Sequence, residues 1–354
     1  MSVLRTSALL ALAVCFTVGG PSAPSLAQAR CWGYAEGDKL GKMDADRIDE
    51  ASGIAASLWQ PGVYWVHNDS GDDERIFAVS EDGDYYGQWK VRDADADDWE
   101  DIAVGPCADG WWTCLFIADL GNNDGKRKSF TLYRVLEPEV DTDKKKAHDA
   151  KTEDADAFEV IYPGDDAPDV EAIFVDDTGA VYLATKWYGG VTLFRVDIEH
   201  AEDGVAFAIE VGAREDVRFV TGADMAPDGG RFILRSHETA WEFYLLPGES
   251  VAEAFRRTPM EIELRSERQG EAIGYDADSF GFLTTSERKN RPLYWYACRS
   301  FDGPIDDSKA DGSNTSATPA DTGCHGSSNP GWACLALMLA WAIVRRRGVD
   351  QGRV

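Results

Sequence analysis

The chain has 354 residues, of which 44% are hydrophobic, 11% aromatic and 28% charged. That balance excludes a wholly disordered chain and a polytopic membrane protein. Sixty-three acidic against 35 basic side chains give a net charge of −28. Such a surface repels a phosphate backbone and excludes nucleic acid as a partner class. Small molecules, cations and extracellular or envelope partners remain, and a monomer is expected.

The first 29 residues read as an export signal, with Arg5 as the positive region and Ala8 to Val18 as the apolar stretch. Ala27-Gln28-Ala29 is a small-residue cleavage site, so processing is expected after Ala29. At the other end, residues 302–323 are rich in Asp, Gly, Ser, Thr and Pro and read as a disordered linker. Gly323-Cys324 follows, then the apolar run Trp332 to Val344 and the cluster Arg345-Arg346-Arg347. Thirteen apolar residues fall short of the ~20 that a spanning helix needs. Residues 324–354 resemble the myxobacterial C-terminal sorting domain (MYXO-CTERM) in this Gly-Cys pair, short apolar helix and Arg cluster. The resemblance implies processing at Cys324 and display on the outer membrane or cell surface, or release. Membrane contact is then expected through this segment alone. Residues 1–29 carry one Arg and no acid, and residues 325–354 carry four Arg and one Asp. The segment 30–324 therefore holds 30 basic and 62 acidic residues, a net of −32.

Seven cysteines are present. Cys15 and Cys334 lie in the terminal signals, and Cys324 belongs to the sorting motif. Four are left for an oxidising compartment, where an even number points to disulfides. Cys107 and Cys114 flank a loop with an Asp109-Gly110 turn, which favours a local bridge. Cys31 and Cys298 are then left to join the two ends of the folded segment, read as residues 30–301.

Within that segment a short motif recurs, anchored at Ile54, Ile102, Ile173, Met225 and Ile273, with spacings of 48, 71, 52 and 48 residues. An apolar second strand follows each anchor: Val63 to Val66, Cys114 to Ile117, Ala180 to Leu183, Arg231 to Leu234 and Phe280 to Leu283. Third strands follow at Arg75 to Val79, Thr131 to Val135, Val191 to Val196, Ala240 to Tyr244 and Pro292 to Tyr296. Weaker fourth strands lie at Tyr86 to Val91, Phe158 to Tyr162, Phe207 to Val211 and Glu261 to Leu264. Val251 to Arg257 is the best helical candidate. Short period-two strands with Gly, Asp and Asn punctuation, repeated every ~40–50 residues, predict an all-β fold, a β-propeller of four-stranded blades. The last repeat lacks a fourth strand. The 25 residues from Ile273 to Cys298 and the 23 from Cys31 to Ile54 together make one normal repeat. Five blades closed by an N-terminal strand are therefore expected. The 71-residue interval is read as holding an exposed insertion at Glu139 to Ala157; a degenerate repeat there would make six blades.

Residues Trp99 to Ala103, Ile117 to Asn123, Val170-Glu171-Ala172 and Gln269 to Ala272 resemble exported bacterial propellers of the NHL, TolB-like and gluconolactonase/paraoxonase-like class. The resemblance covers roughly residues 45–298 and implies architecture rather than activity, because such folds host enzymes, binders and scaffolds alike.

Antiparallel pairing places the start of each first strand beside the end of each second strand. Those positions ring one mouth of the central channel. Glu100, Glu171 and Glu271 share a repeat register there, with Asp224 from the same strand starts. Asn68, Asp119, Lys186, Arg235 and Glu287 come from the strand ends. These nine residues form the candidate ligand site. Converging carboxylates need counterions. Lys186 and Arg235 could supply them, or a hard cation such as Ca²⁺ on oxygen ligands, with Glu100, Glu171, Glu271 and Asp119 as the candidate set. The gluconolactonase/paraoxonase-like resemblance implies a divalent cation at this place. No other cofactor is indicated. Asp93 to Asp97 starts like an EF-hand loop, but Asp98 replaces the required Gly. No Gly-x-Ser-x-Gly elbow, phosphate loop or His-Glu-x-x-His is present. The leading expectation is an exported, surface-displayed binding or interaction module with an acidic mouth site. A metal-assisted lactone, ester or phosphoester hydrolase and a purely structural envelope protein are the alternatives.

Overall fold

The computed structural model describes residues 31–44, 46–142, 147–164 and 167–299. The export signal, linker and sorting segment, with Ala29 and Cys324, lie outside the described residues.

An N-terminal strand β1 (Asp38–Lys42) precedes the first meander: β2 (Ala51–Ala56), β3 (Tyr64–Asn68), β4 (Arg75–Val79) and β5 (Tyr85–Arg92). The second meander is β6 (Trp99–Pro106), β7 (Thr113–Asp119), β8 (Thr131–Leu136) and, after the detour β9 (His148–Asp154), β10 (Asp156–Ile161). The third is β11 (Val170–Val175), β12 (Val181–Thr185), β13 (Val191–Val196) and β14 (Val205–Arg214). The fourth is β15 (Gly222–Met225), β16 (Arg231–Arg235), β17 (Thr239–Tyr244) and β18 (Met260–Glu263), with the helix α1 (Val251–Phe255) between its last two strands. The fifth is β19 (Gly270–Tyr275), β20 (Gly281–Ser286) and β21 (Pro292–Ala297), and β1 pairs antiparallel with β21 as its outer strand. The all-β propeller expected from the repeats is the fold. The inner strands β2, β6, β11, β15 and β19 pack each against the next, and β19 closes the circle on β2.

Burial follows position in the meander. Strands β2, β11 and β19 are buried along their whole length, because each is covered on both faces by neighbouring inner strands. Outer strands alternate: in β10 only Phe158 and Val160 turn inward. Period two is therefore cleanest in the outer strands, as a half-solvated edge requires.

The surplus of the long interval, read as an exposed insertion, forms a strand that is exposed or half-buried at all but one residue. β9 pairs parallel with β5, adding a fifth strand to the first sheet. A second parallel pairing, β10 with β14, joins the second and third meanders into one eight-stranded sheet. Both additions cover exposed strand edges, which otherwise invite pairing with other chains.

Closure is secured at the termini. Cys31 is bonded to Cys298 and Cys107 to Cys114, bonds that belong to an oxidising environment. Tyr34 donates to Glu242 Oε1 at 2.5 Å, and Arg231 Nε stands 3.1 Å from the same oxygen. The N-terminal segment is thereby tied to the fourth meander as well as to β21. The short helix α1 carries a capping box between Ser250 and Glu253. Among the described residues no helix is long and apolar enough to cross a membrane.

Candidate functional site

The paired strand ends at one mouth are Ala51 with Asn68, Trp99 with Asp119, Val170 with Thr185, Gly222 with Arg235 and Gly270 with Ser286. Immediately after this pair the register slips by one residue in four of the five meanders. The slips fall between Ala51 and Gly53, Trp99 and Asp101, Val170 and Ala172, and Gly270 and Ile273. Each is a β-bulge that leaves one extra residue on the inner strand. The spans contain Ser52, Glu100, Glu171 and Glu271. A bulge breaks the alternation that would send a side chain to the opposite face, and so re-aims it. The three glutamates thus share a backbone device as well as a repeat register. Strand β15 has no bulge.

Around them the mouth is strongly acidic. Oxygens of Asp69, Asp98 and Glu100 lie within 4.8 Å of one another. Glu100 is buried and its Oε1 has no hydrogen-bond partner; Glu171 Oε1 and Glu271 Oε2 are likewise buried and unpartnered. Gly121, at the end of the β7 hairpin, makes room for two of these groups. A Cβ there would sit 2.0 Å from Glu100 Oε1 and 2.4 Å from Asp98 Oδ2.

Burial, with Glu171, Asp69 and Asp98 nearby, pushes the Glu100 carboxyl well above the usual range. Burial lifts Asp98 to about 6, with Asp69 adding to it. Glu171 is pushed up to about 8 by burial, against the pull of Lys186. Burial, then Glu271 and Asp69, raises Glu287 to about 7. Lys186 Nζ lies 2.7 Å from Glu171 Oε2. Its burial works against the charge, but Glu171 and Glu271 hold its pKa above the ordinary lysine value.

The other expected site residues have structural partners. Asp119 accepts from the backbone of Asp97 and Asp98 and pairs with Arg127 at 2.7 Å, so it braces the acidic loop instead of facing the three-oxygen cluster. Asn68 donates to the Arg47 carbonyl and to Asp72. Arg235 is fully buried, donates to the carbonyls of Ala272 and Thr285, and pairs with Glu267 at 3.3 Å. Asp224 accepts from Met225 N and from Tyr275 N of the next inner strand, stitching two meanders. Asp101 does the same more widely, accepting from Ile102, Ile173 and Ala223. Glu287 accepts from Gln269 Nε2 at 2.6 Å and remains at the mouth. Asp69 and Asp98 were outside the sequence-derived ligand set, although Asp69 sits at a strand end and Asp98 directly precedes Trp99-Glu100.

A hard divalent cation fits this donor set. The ligands are all oxygens, Asp69 from the turn after β3 and Asp98 and Glu100 from the start of β6, and a buried carboxylate oxygen is left unpartnered. Asp69, Asp98 and Glu100 are the residues that would hold it.

No family model and no curated protein matches the chain. Among solved structures, the PQQ-bound form of an aldose sugar dehydrogenase from Streptomyces coelicolor matches with a TM-score of 0.39 and 12% identity, covering 74% of this chain and 98% of that one.

Proposed function

We propose that the chain is an exported binding module whose propeller mouth takes a divalent cation, Ca²⁺ in an extracellular setting. The observation that carries this reading is the Asp69, Asp98 and Glu100 cluster with its unpartnered, buried Glu100 oxygen. Without a cation such a group is neutralised by a proton, as its raised pKa reflects. A cation instead keeps the carboxylates ionised and fixes the loops that carry Asp69 and Asp98. Processing after Ala29 and at Cys324 would place the module at the cell surface. Calorimetric titration with Ca²⁺ tests the reading. Binding at one site, lost in Glu100→Gln, is expected; unchanged binding in that variant would remove the cluster from consideration.

A second reading is hydrolysis of a lactone, ester or phosphoester. It draws on Glu171, a carboxyl poised at about 8 beside Lys186, the range in which a general acid works at neutral pH. Turnover of model esters that stops with chelator and in Glu100→Gln would favour it. Absence of turnover across a broad panel counts against it.

A further inference from the structure

Beside the acidic mouth, the β12–β13 turn and the segment before β15 enclose a cleft of about 700 Å³. Three of its lining residues are large aromatic side chains left open to solvent: Trp187 at 56% exposure, Tyr188 at 63% and Phe219 at 50%. Folding ordinarily covers such groups, so a contiguous exposed group is a sign of a binding surface.

The backbone holds this arrangement. Phe219 sits at φ +53°, in the left-handed region that bulky residues avoid. It is kept there by its N–H, which donates to the Trp187 carbonyl at 3.2 Å, and by Val191 N to the Val217 carbonyl at 2.9 Å. Gly189 leaves space for the indole: a Cβ there would lie 2.8 Å from Trp187 Nε1. Strain of this kind persists at ligand sites more than elsewhere.

The rest of the lining mixes the apolar Ala167, Pro168 and Phe194 with polar groups. Asn123, Asp169 and Lys186 edge the cleft, the last two reaching it from the acidic mouth. A lipid chain or apolar peptide would strip water from these groups without adding a hydrogen bond. A polyanion is opposed by the net charge of −28. A quaternary ammonium needs ring faces on several sides. Here Trp187 and Tyr188 lean on each other, with centroids 4.2 Å apart and planes at 43°, and so form one platform. A ligand with an apolar C–H face and a hydroxyl-bearing edge matches both halves of the lining.

We propose that this cleft is a saccharide-binding subsite, with a neutral sugar ring stacked on the Trp187–Tyr188 platform and its hydroxyls bonded to Asn123 and Asp169. This goes beyond the cation reading and does not depend on it. The test is calorimetric titration of the full chain, with Ca²⁺ and separately with chelator. The probes are neutral hexasaccharides (cello-, xylo-, laminari-, malto- and chito-hexaose) at up to millimolar concentration. Binding of at least one is expected, weakened about tenfold or more in Trp187→Ala, since ring stacking and area are both lost. Trp187→Phe should retain most of the affinity. Trp111→Ala, an exposed tryptophan at the far end of β7, should leave it unchanged. No binding by any probe, binding that survives Trp187→Ala and Tyr188→Ala together, or equal loss in Trp111→Ala would each overturn the proposal. A Ca²⁺ site that fails while saccharide binding persists would refute only the cation reading.

Discussion

Gly121→Ala isolates the candidate cation site from the fold. Gly121 lies outside the left-handed region, so alanine asks nothing new of the backbone. The added Cβ meets Glu100 Oε1 at 2.0 Å and Asp98 Oδ2 at 2.4 Å. Ordinary contact needs well over 3 Å, so each carboxylate must withdraw by about 1 Å. Ca²⁺ holds oxygens at ~2.3–2.6 Å, and a shift of that size removes two of the three clustered ligands from its shell. Affinity should fall at least about 100-fold, or ~2.7 kcal/mol. The assay is calorimetry with Ca²⁺, paired with thermal melts. For the native chain, Ca²⁺ at about 100 times its dissociation constant adds ~2.7 kcal/mol, or about 5–10 °C in Tm. Gly121→Ala should keep its chelator Tm within a few degrees and lose that increment. Ca²⁺ binding within about threefold of the native chain would refute the assignment.

In chelator, stability should decline as pH rises. Glu171 is raised from 4.5 to about 8, so its contribution is whole below 4.5 and is lost as pH climbs through 8. A Tm that stays flat from about pH 5 to about pH 9 would contradict this. Cys31→Ser should lower stability by ~5 kcal/mol on the chain-entropy account of so long a loop, less any native strain, read as a fall in denaturant midpoint. Phe219→Gly should relieve the left-handed backbone at +53° and raise stability by ~1 kcal/mol, while weakening any saccharide bound in the cleft. An unchanged or lower Tm would count against the strain argument.

The architecture was legible because inner, middle and outer strands carry different apolar patterns and recur at nearly constant spacing. Closure was legible too, since the residues after Ile273 and before Ile54 complete one repeat. The role of residues 139–157 was hidden: Lys and Asp richness reads as solvent exposure, yet β9 pairs through its backbone, which composition does not record. The mouth was legible in part. Shared register brought Glu100, Glu171 and Glu271 together. The bulges that aim them depend on a two-against-one count across two strands, which no single strand displays. Arg235 misled because a cation at a strand end has two ways to turn, and the buried carbonyls of the fifth meander claimed it.

The distribution of counterions explains why the cation belongs to one side of the mouth. On the side of the third and fifth meanders, Lys186 pairs with Glu171, and His237 stands 3.6 Å from Glu271. On the side of the first and second meanders, the Arg127 that acts on Asp98 is committed to Asp119, and the Lys186 that acts on Glu100 is committed to Glu171. One half therefore carries its own cation, and the other is left to recruit one. Lys186→Met makes this division measurable. Glu171 and Glu271 then keep their burial and lose their main counterion, a change that costs ~3–5 kcal/mol when a buried pair is broken. The two glutamates are then buried carboxylates without their cation, and Ca²⁺ is expected to take its place. The Ca²⁺ stoichiometry should rise from one to two, and Ca²⁺ should restore stability lost in chelator. A stoichiometry that stays at one, with no such rescue, would show that Lys186 does not stand in for a cation.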